Sequence, residues 1–98
     1  GAWVGFDVRL EGGGVAHNAM VRVRAGARSR WVQVQPNEGV ASSNDPRVVF
    51  GLGAATGAEQ VLVRWADGRV EGYGARAGGA YHRLVRGAGA PEAPEIFW

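Results

Sequence analysis

The sequence predicts an all-β domain, a single small antiparallel β-sandwich or barrel of six to seven strands built from hairpins. Three observations point there. Apolar residues recur at every second position in several windows, glycine and proline recur at turn spacing between those windows, and no window carries a helical period. With 98 residues, 46% of them hydrophobic, the chain fits one domain with a modest core. Residues 1–86 are expected to form the β-domain and residues 87–98 an extended C-terminal tail.

The opening window sets Val4, Phe6, Val8 and Leu10 against Gly5, Asp7 and Arg9, so one face of this strand belongs to a core. After Glu11-Gly12-Gly13-Gly14, the segment Ala19–Arg24 alternates again, and Trp31–Gln35 follows across a turn containing Gly26. These read as a hairpin with the valines inward, because a one-residue slip would send every valine to solvent. Two registers satisfy that condition: a four-residue loop sets Arg24 beside Trp31, and a two-residue loop sets Arg22 there. Arg47–Phe50 is the next strand. Val61–Trp65 and Val70–Tyr73 form a second hairpin around Asp67-Gly68. A type I′ turn at Asp-Gly would set Trp65 opposite Val70 and Arg64 opposite Glu71. Ala80–Val85 is a further strand, and Ala90–Pro94 reads as extended and poorly packed.

Composition excludes more than it assigns. There is no cysteine, hence no disulfide, thiolate zinc site or cysteine nucleophile. All 11 basic residues are arginine, and the net charge of +2 is a weak electrostatic footprint beside a clustered basic face. No apolar run reaches the roughly twenty residues of a membrane helix. The first residues lack the basic and apolar regions of a signal peptide, and the abrupt start reads as a piece of a longer protein.

Gly51–Gly57 invites a phosphate-loop reading, but its glycine spacing misses the dinucleotide fingerprint and no lysine follows; a strand exit and tight turn is the simpler reading. His17, His82, Ser29, Ser42 and Ser43 are not tied by any nucleophile–base motif, so no catalytic residue and no enzymatic activity are expected. Asn44 and Asp45 place oxygen ligands in one loop, which would suit calcium, yet Asn-Asp-Pro is ordinary turn chemistry. No metal or other cofactor is therefore expected, with Asn44 and Asp45 the weak candidates for calcium.

Trp3 and Trp31 fall on the polar phase of their strands, and Trp31 has an arginine neighbour. Rings on a β-surface suit sugars or bases by stacking. The competing reading is that they are covered by a loop, by the tail Ile96-Phe97-Trp98 or by a neighbouring domain, since large exposed apolar patches on small domains mark interfaces. The latter is preferred. Arg22, Arg24, Arg28 and Arg30 read as a solvated strand edge rather than a nucleic-acid site.

Asn44-Asp45-Pro46-Arg47, Phe50-Gly51-Leu52-Gly53 and Val63-Arg64-Trp65-Ala66-Asp67-Gly68-Arg69 occur in that order. This series resembles the ASPIC/UnbV domain family, whose N-D-P-R, F-G-L-G and V-x-W-P-x-G-x elements recur in the same order. Ala19–Val23 and the opening Trp3–Leu10 look like that family's first strands, so the resemblance reaches about Arg86. Ala66 stands where the family usually has proline, and Asn18 where glycine is common. Asn is the next best residue for positive φ. Val40 and Ser43 replace an aromatic residue and a glutamine.

The resemblance implies context. Such domains follow FG-GAP (integrin-α-like) propeller repeats in secreted or surface proteins, as in proteins similar to cartilage acidic protein. The expected function is a non-catalytic extracytoplasmic accessory module, extracellular, periplasmic or at the cell surface, docking against a propeller or a protein partner through Trp3, Arg22, Arg24 and Trp31. The alternative is a carbohydrate-binding module using its exposed tryptophans. No nucleic-acid partner and no membrane insertion are expected. Asp45, Pro46, Phe50, Gly51, Leu52, Gly53, Trp65, Asp67 and Gly68 then serve the fold, with Phe50, Leu52 and Trp65 buried.

Overall fold

A computed structural model describes residues 2–34 and 47–97. Asn44, Asp45, Pro46, Val40, Ser43 and Trp98 lie outside the described residues. The strands are β1 (Ala2–Arg9), β2 (Met20–Ala25), β3 (Arg28–Gln33), β4 (Arg47–Gly53), β5 (Gly57–Arg64), β6 (Val70–Ala77), β7 (Tyr81–Val85) and β8 (Ala90–Glu92), followed by a 3-10 turn over Pro94–Phe97. They form two packed sheets, one ordered β4-β1-β7 and the other β3-β2-β5-β6-β8. The architecture is an all-β sandwich.

Alternation builds the core. β1 turns Val4, Phe6 and Val8 inward, and β4 contributes Val48, Phe50 and Leu52. From the second sheet come Val21, Val23, Val61, Val63 and Tyr73. Trp65 (1% exposed), Phe50 (2%) and Leu52 (8%) are all buried. The Phe6 and Phe50 rings meet edge-on at 6.0 Å, which adds a directional contact to area burial.

Four details settle or change the sequence expectations. The β2–β3 hairpin adopts the tighter of the two registers, with Val21 opposite Val32 and Arg22 opposite Trp31. Its loop is Gly26-Ala27, with positive φ at Gly26 (63°) and not at Ala27, the pattern of a type II′ turn.

The β5–β6 hairpin is shifted by one residue. Arg64 is opposite Val70 and Val63 opposite Glu71, so the expected Trp65–Val70 and Arg64–Glu71 pairings do not occur as cross-strand neighbours. The loop has three residues. Gly68 N donates to Trp65 O at 2.9 Å and Trp65 N to Arg69 O at 2.8 Å, and Gly68 alone in the loop has positive φ, at 94°. This is a type I turn followed by a left-handed glycine. Asp67 does not take the positive φ that a type I′ turn would demand of it.

The third difference is the β1–β7 pair, which runs parallel, whereas the other named pairs are antiparallel. The fourth is the segment after Arg86. Ala90, Pro91, Ala93 and Pro94 are exposed as expected, but the segment is anchored at both ends: β8 pairs with β6 and Phe97 is fully buried. That makes eight strands among the described residues, one more than the expected maximum. A three-residue strand containing Pro91 shows no alternation to read, and its anchor, Phe97, packs against residues distant in sequence. Asn18, standing for the glycine common in relatives, does adopt positive φ, at 66°.

Candidate interaction surfaces

The outer face of the five-stranded sheet carries the alternate residues of β2 and β3. Arg22 stacks its guanidinium 5.3 Å from the Trp31 ring centroid, a cation–π contact. Both side chains are engaged by the C-terminal segment. Arg22 Nη1 donates to Ile96 O at 2.9 Å, and Trp31 Nε1 donates to Phe97 O at 3.2 Å. Phe97 itself closes a small second core with Leu62, Val70 and Met20. The tail thus covers this face, although Trp31 keeps 42% of its surface exposed. Arg24 pairs loosely with Glu59 at 3.7 Å, an exposed ion pair of little energetic weight.

The arginine cluster is divided. Arg28 and Arg30 fall on the opposite phase of β3 and line a cavity of about 150 Å³ at the sheet edges with Val23, Ala25, Phe50 and Leu52. Arg22 and Arg24 face outward on β2. The four arginines therefore do not form one basic stripe.

Trp3 belongs to the other side of the sandwich. The outer face of the three-stranded sheet presents Trp3, Gly5 and Asp7 from β1, flanked by β4 and β7. Gly5 is level with both Val49 and Tyr81. A Cβ at Gly5 would lie 2.3 Å from Tyr81 Cδ1, so only glycine lets the Tyr81 ring lie across the strand. Trp3 packs beside that ring at 5.1 Å with a 58° tilt, and Arg47 stacks on it at 4.6 Å. Val49 (51% exposed) and Tyr81 (45%) stand open on this face. The adjoining row is charged: Asp7 accepts from Arg9 Nε at 2.8 Å and pairs with Arg83 at 3.6 Å. Trp3 and Trp31, expected to share a docking surface, thus lie on opposite faces, because β1 and β3 belong to different sheets.

A third feature surrounds the motif hairpin. Glu71 Oε1 accepts from Trp65 Nε1 at 2.8 Å, from Tyr73 Oη at 3.1 Å and from Gly87 N at 3.0 Å. Tyr73 Oη also reaches Val85 O at 2.7 Å. Burial, reinforced by the Glu71 carboxylate, pushes the Tyr73 hydroxyl pKa up. Beside this knot, Arg86 bonds Asp67 and lies 5.7 Å from the Trp65 ring centroid. The Arg86 guanidinium, with the Arg69 amide, holds the Asp67 carboxyl below its usual range. Glu71, Tyr73, Arg86 and Phe97 were not singled out as site residues from sequence. For Glu71 the charge pattern on the hairpin was a visible signal, read as an Arg64 pair. The groove between hairpin and C-terminal segment has a volume of about 380 Å³ and is lined by Glu11, Arg69, Pro91 and Glu92 among others.

Among the described residues no three His, Asp or Glu side chains gather as metal ligands, and no helix is long and apolar enough to cross a membrane. His82 faces the core side near Phe6, at 6.1 Å between rings, with Nε2 at 2.8 Å from Ala77 O. The motif elements Phe50–Gly53 and Trp65–Gly68 form a core strand and a hairpin turn.

No curated protein and no solved structure matches the chain. A family model described as ASPIC and UnbV matches residues 13–91. The opening strand, included in the sequence resemblance, falls before this range, and the 3-10 turn falls after it. The match covers the motif strand β4, the motif hairpin and both sheets apart from β1 and the last residue of β8, and on that evidence the chain belongs to the ASPIC and UnbV family.

Proposed function

We propose that the chain is a non-catalytic accessory module that docks a neighbouring domain or protein through the outer face of its three-stranded sheet. The observation that carries this reading is the open row Val49–Gly5–Tyr81, in which two large apolar side chains remain about half exposed on a small domain. Contiguous apolar surface of this kind marks interfaces. Trp3 extends the patch, and Arg47, Arg83 and Arg9 around Asp7 give it a basic rim suited to an apolar partner surface edged with acids. The family resemblance supports an FG-GAP-type propeller as that partner and an extracytoplasmic setting.

Ring geometry favours protein docking over sugar binding. Trp3 and Tyr81 are tilted by 58° and Arg47 is stacked on Tyr81, so the pair does not form a flat platform for a sugar. Trp31, the other candidate, is hydrogen-bonded to the tail.

The test is calorimetric titration of the chain with a separately produced FG-GAP-type propeller. Val49→Asp should leave the thermal midpoint unchanged and abolish binding. Equal binding by wild type and variant would remove this face from the interface, and a response to a glycan panel that Tyr81→Ala removes would favour the carbohydrate reading.

A further inference from the structure

The C-terminal segment is bound to the sheet in the manner of a recognised peptide. β8 adds to the free edge of β6, as in β-augmentation. Phe97 then enters a pocket made by Leu62, Val70 and Met20, and two side chains, Arg22 and Trp31, capture the main-chain carbonyls of Ile96 and Phe97. Each of these contacts depends on the segment and none on its covalent connection to the same molecule.

That connection is short. Residues 86–89 lead from β7 in one sheet to β8 in the other, with Gly87 at φ 94° and its amide held by Glu71. The family match ends at residue 91, so the 3-10 turn that fills the pocket lies beyond the matched module. The clamp is also incompletely satisfied: Arg22 Nε is buried and has no hydrogen-bond partner among the described residues, a cost that native structures rarely carry.

We propose that residues 90–97 are a transferable ligand, and that the groove of Met20, Leu62, Val70, Arg22 and Trp31 accepts the same segment from a second copy of this chain. The product is a dimer with reciprocally exchanged 90–97 segments. Exchange of an identical element preserves the contacts of residues 90–97, and extending the hinge at 86–89 gives up only local bonds such as Gly87 N to Glu71. A second copy is the occupant the groove fits, because its strand edge, apolar pocket and carbonyl clamps are complementary to this segment. The surface is separate from the docking face proposed above and stands or falls without it.

The experiment uses the full chain, concentrated, warmed towards its midpoint and cooled, with half the molecules carrying ¹³C and ¹⁵N. Light scattering should show a dimer, and isotope-filtered spectra should show Phe97 ring contacts to Leu62 methyls between labelled and unlabelled chains. Phe97→Ala should give no such dimer. It should bind a synthetic peptide of residues 90–97 at least about tenfold more tightly than wild type, whose groove is already filled.

The proposal is overturned if wild type stays monomeric, or if its dimer shows these contacts within one chain alone. It is overturned equally if a folded Phe97→Ala chain ignores the peptide. Should that variant not fold, the mixed-label spectrum of wild type decides by itself.

Discussion

Replacing Glu71 by alanine removes the acceptor that joins the motif hairpin to the turn after β7. Two N–H donors, Trp65 Nε1 and Gly87 N, converge on its Oε1, and Tyr73 Oη shares its one proton between that oxygen and the Val85 carbonyl. They will not suffer equally. Tyr73 keeps the Val85 carbonyl, and Gly87 is exposed, so water replaces its partner. Trp65 is 1% exposed, and its indole N–H loses its bond where water enters with difficulty. A buried donor left unsatisfied costs about 1–3 kcal/mol, and the two weaker losses bring the total to about 2–3 kcal/mol. In a domain of this size that lowers the melting midpoint by roughly 10–20 °C. Circular dichroism measures the midpoint, and tryptophan emission should shift to the red as Trp65 becomes hydrated. Glu71→Gln retains an acceptor oxygen at the same reach and should lose less than half as much. A Glu71→Ala midpoint within about 3 °C of wild type would refute the reasoning; equal losses in the two variants would show that charge, not the indole bond, is what matters.

Two further outcomes are expected. Asp67 is held below its ordinary pKa of 3.8, first by the Arg86 hydrogen bond. Its contribution is therefore full above that value and is lost as pH falls through the folded-state pKa. Asp67→Asn should flatten that part of the acid limb in a urea titration series, and an unchanged limb would count against the pair. Gly5→Ala should displace the Tyr81 ring, whose Cδ1 would otherwise lie 2.3 Å from the new Cβ. The ring is a surface side chain that can swing away, and replacing a strand glycine returns about 0.5–1 kcal/mol of backbone entropy. Near-wild-type stability with lost propeller binding is the expected result, and retained binding would free Tyr81 from the interface.

Much of the sandwich was legible because period-two alternation and core burial are the same fact seen twice. Val4, Phe6 and Val8 could not face solvent in a stable fold, and neither could Phe50, Leu52 or Trp65. Turn closure was less legible. Asp67-Gly68 fits both a two-residue type I′ loop and the three-residue loop found here, and both place a glycine at positive φ. The choice moves Glu71 from opposite Arg64 to opposite Val63 and turns an expected cross-strand ion pair into the Trp65–Tyr73–Gly87 knot. The site suffered most from this limit. Alternation assigns a residue to a face of its own strand, but it does not say which sheet the strand joins. Trp3 and Trp31 were both outward, and they are outward on opposite sides.

The two outer faces differ in a way that bears on the module's role. The five-stranded sheet is the larger, and its outer-face apolar side chains Met20, Leu62 and Val70 are sealed by Phe97 from the same chain. The three-stranded sheet receives no such cover among the described residues, and Val49 and Tyr81 remain open there. Its central strand, β1, lies outside the family-matched range, yet it bridges β4 and β7, which otherwise do not touch in the sheet order. β1 also supplies Trp3, the Gly5 seat for Tyr81 and the Asp7 carboxylate among the arginines. The open face is thus assembled from matched strands on both sides and an unmatched strand in the middle. If the proposed docking face is the one used, changes in residues 2–9 that leave the matched motifs intact should alter binding of an FG-GAP-type propeller, and Trp3→Ala should weaken it in the same calorimetric titration while the matched strands stay unchanged.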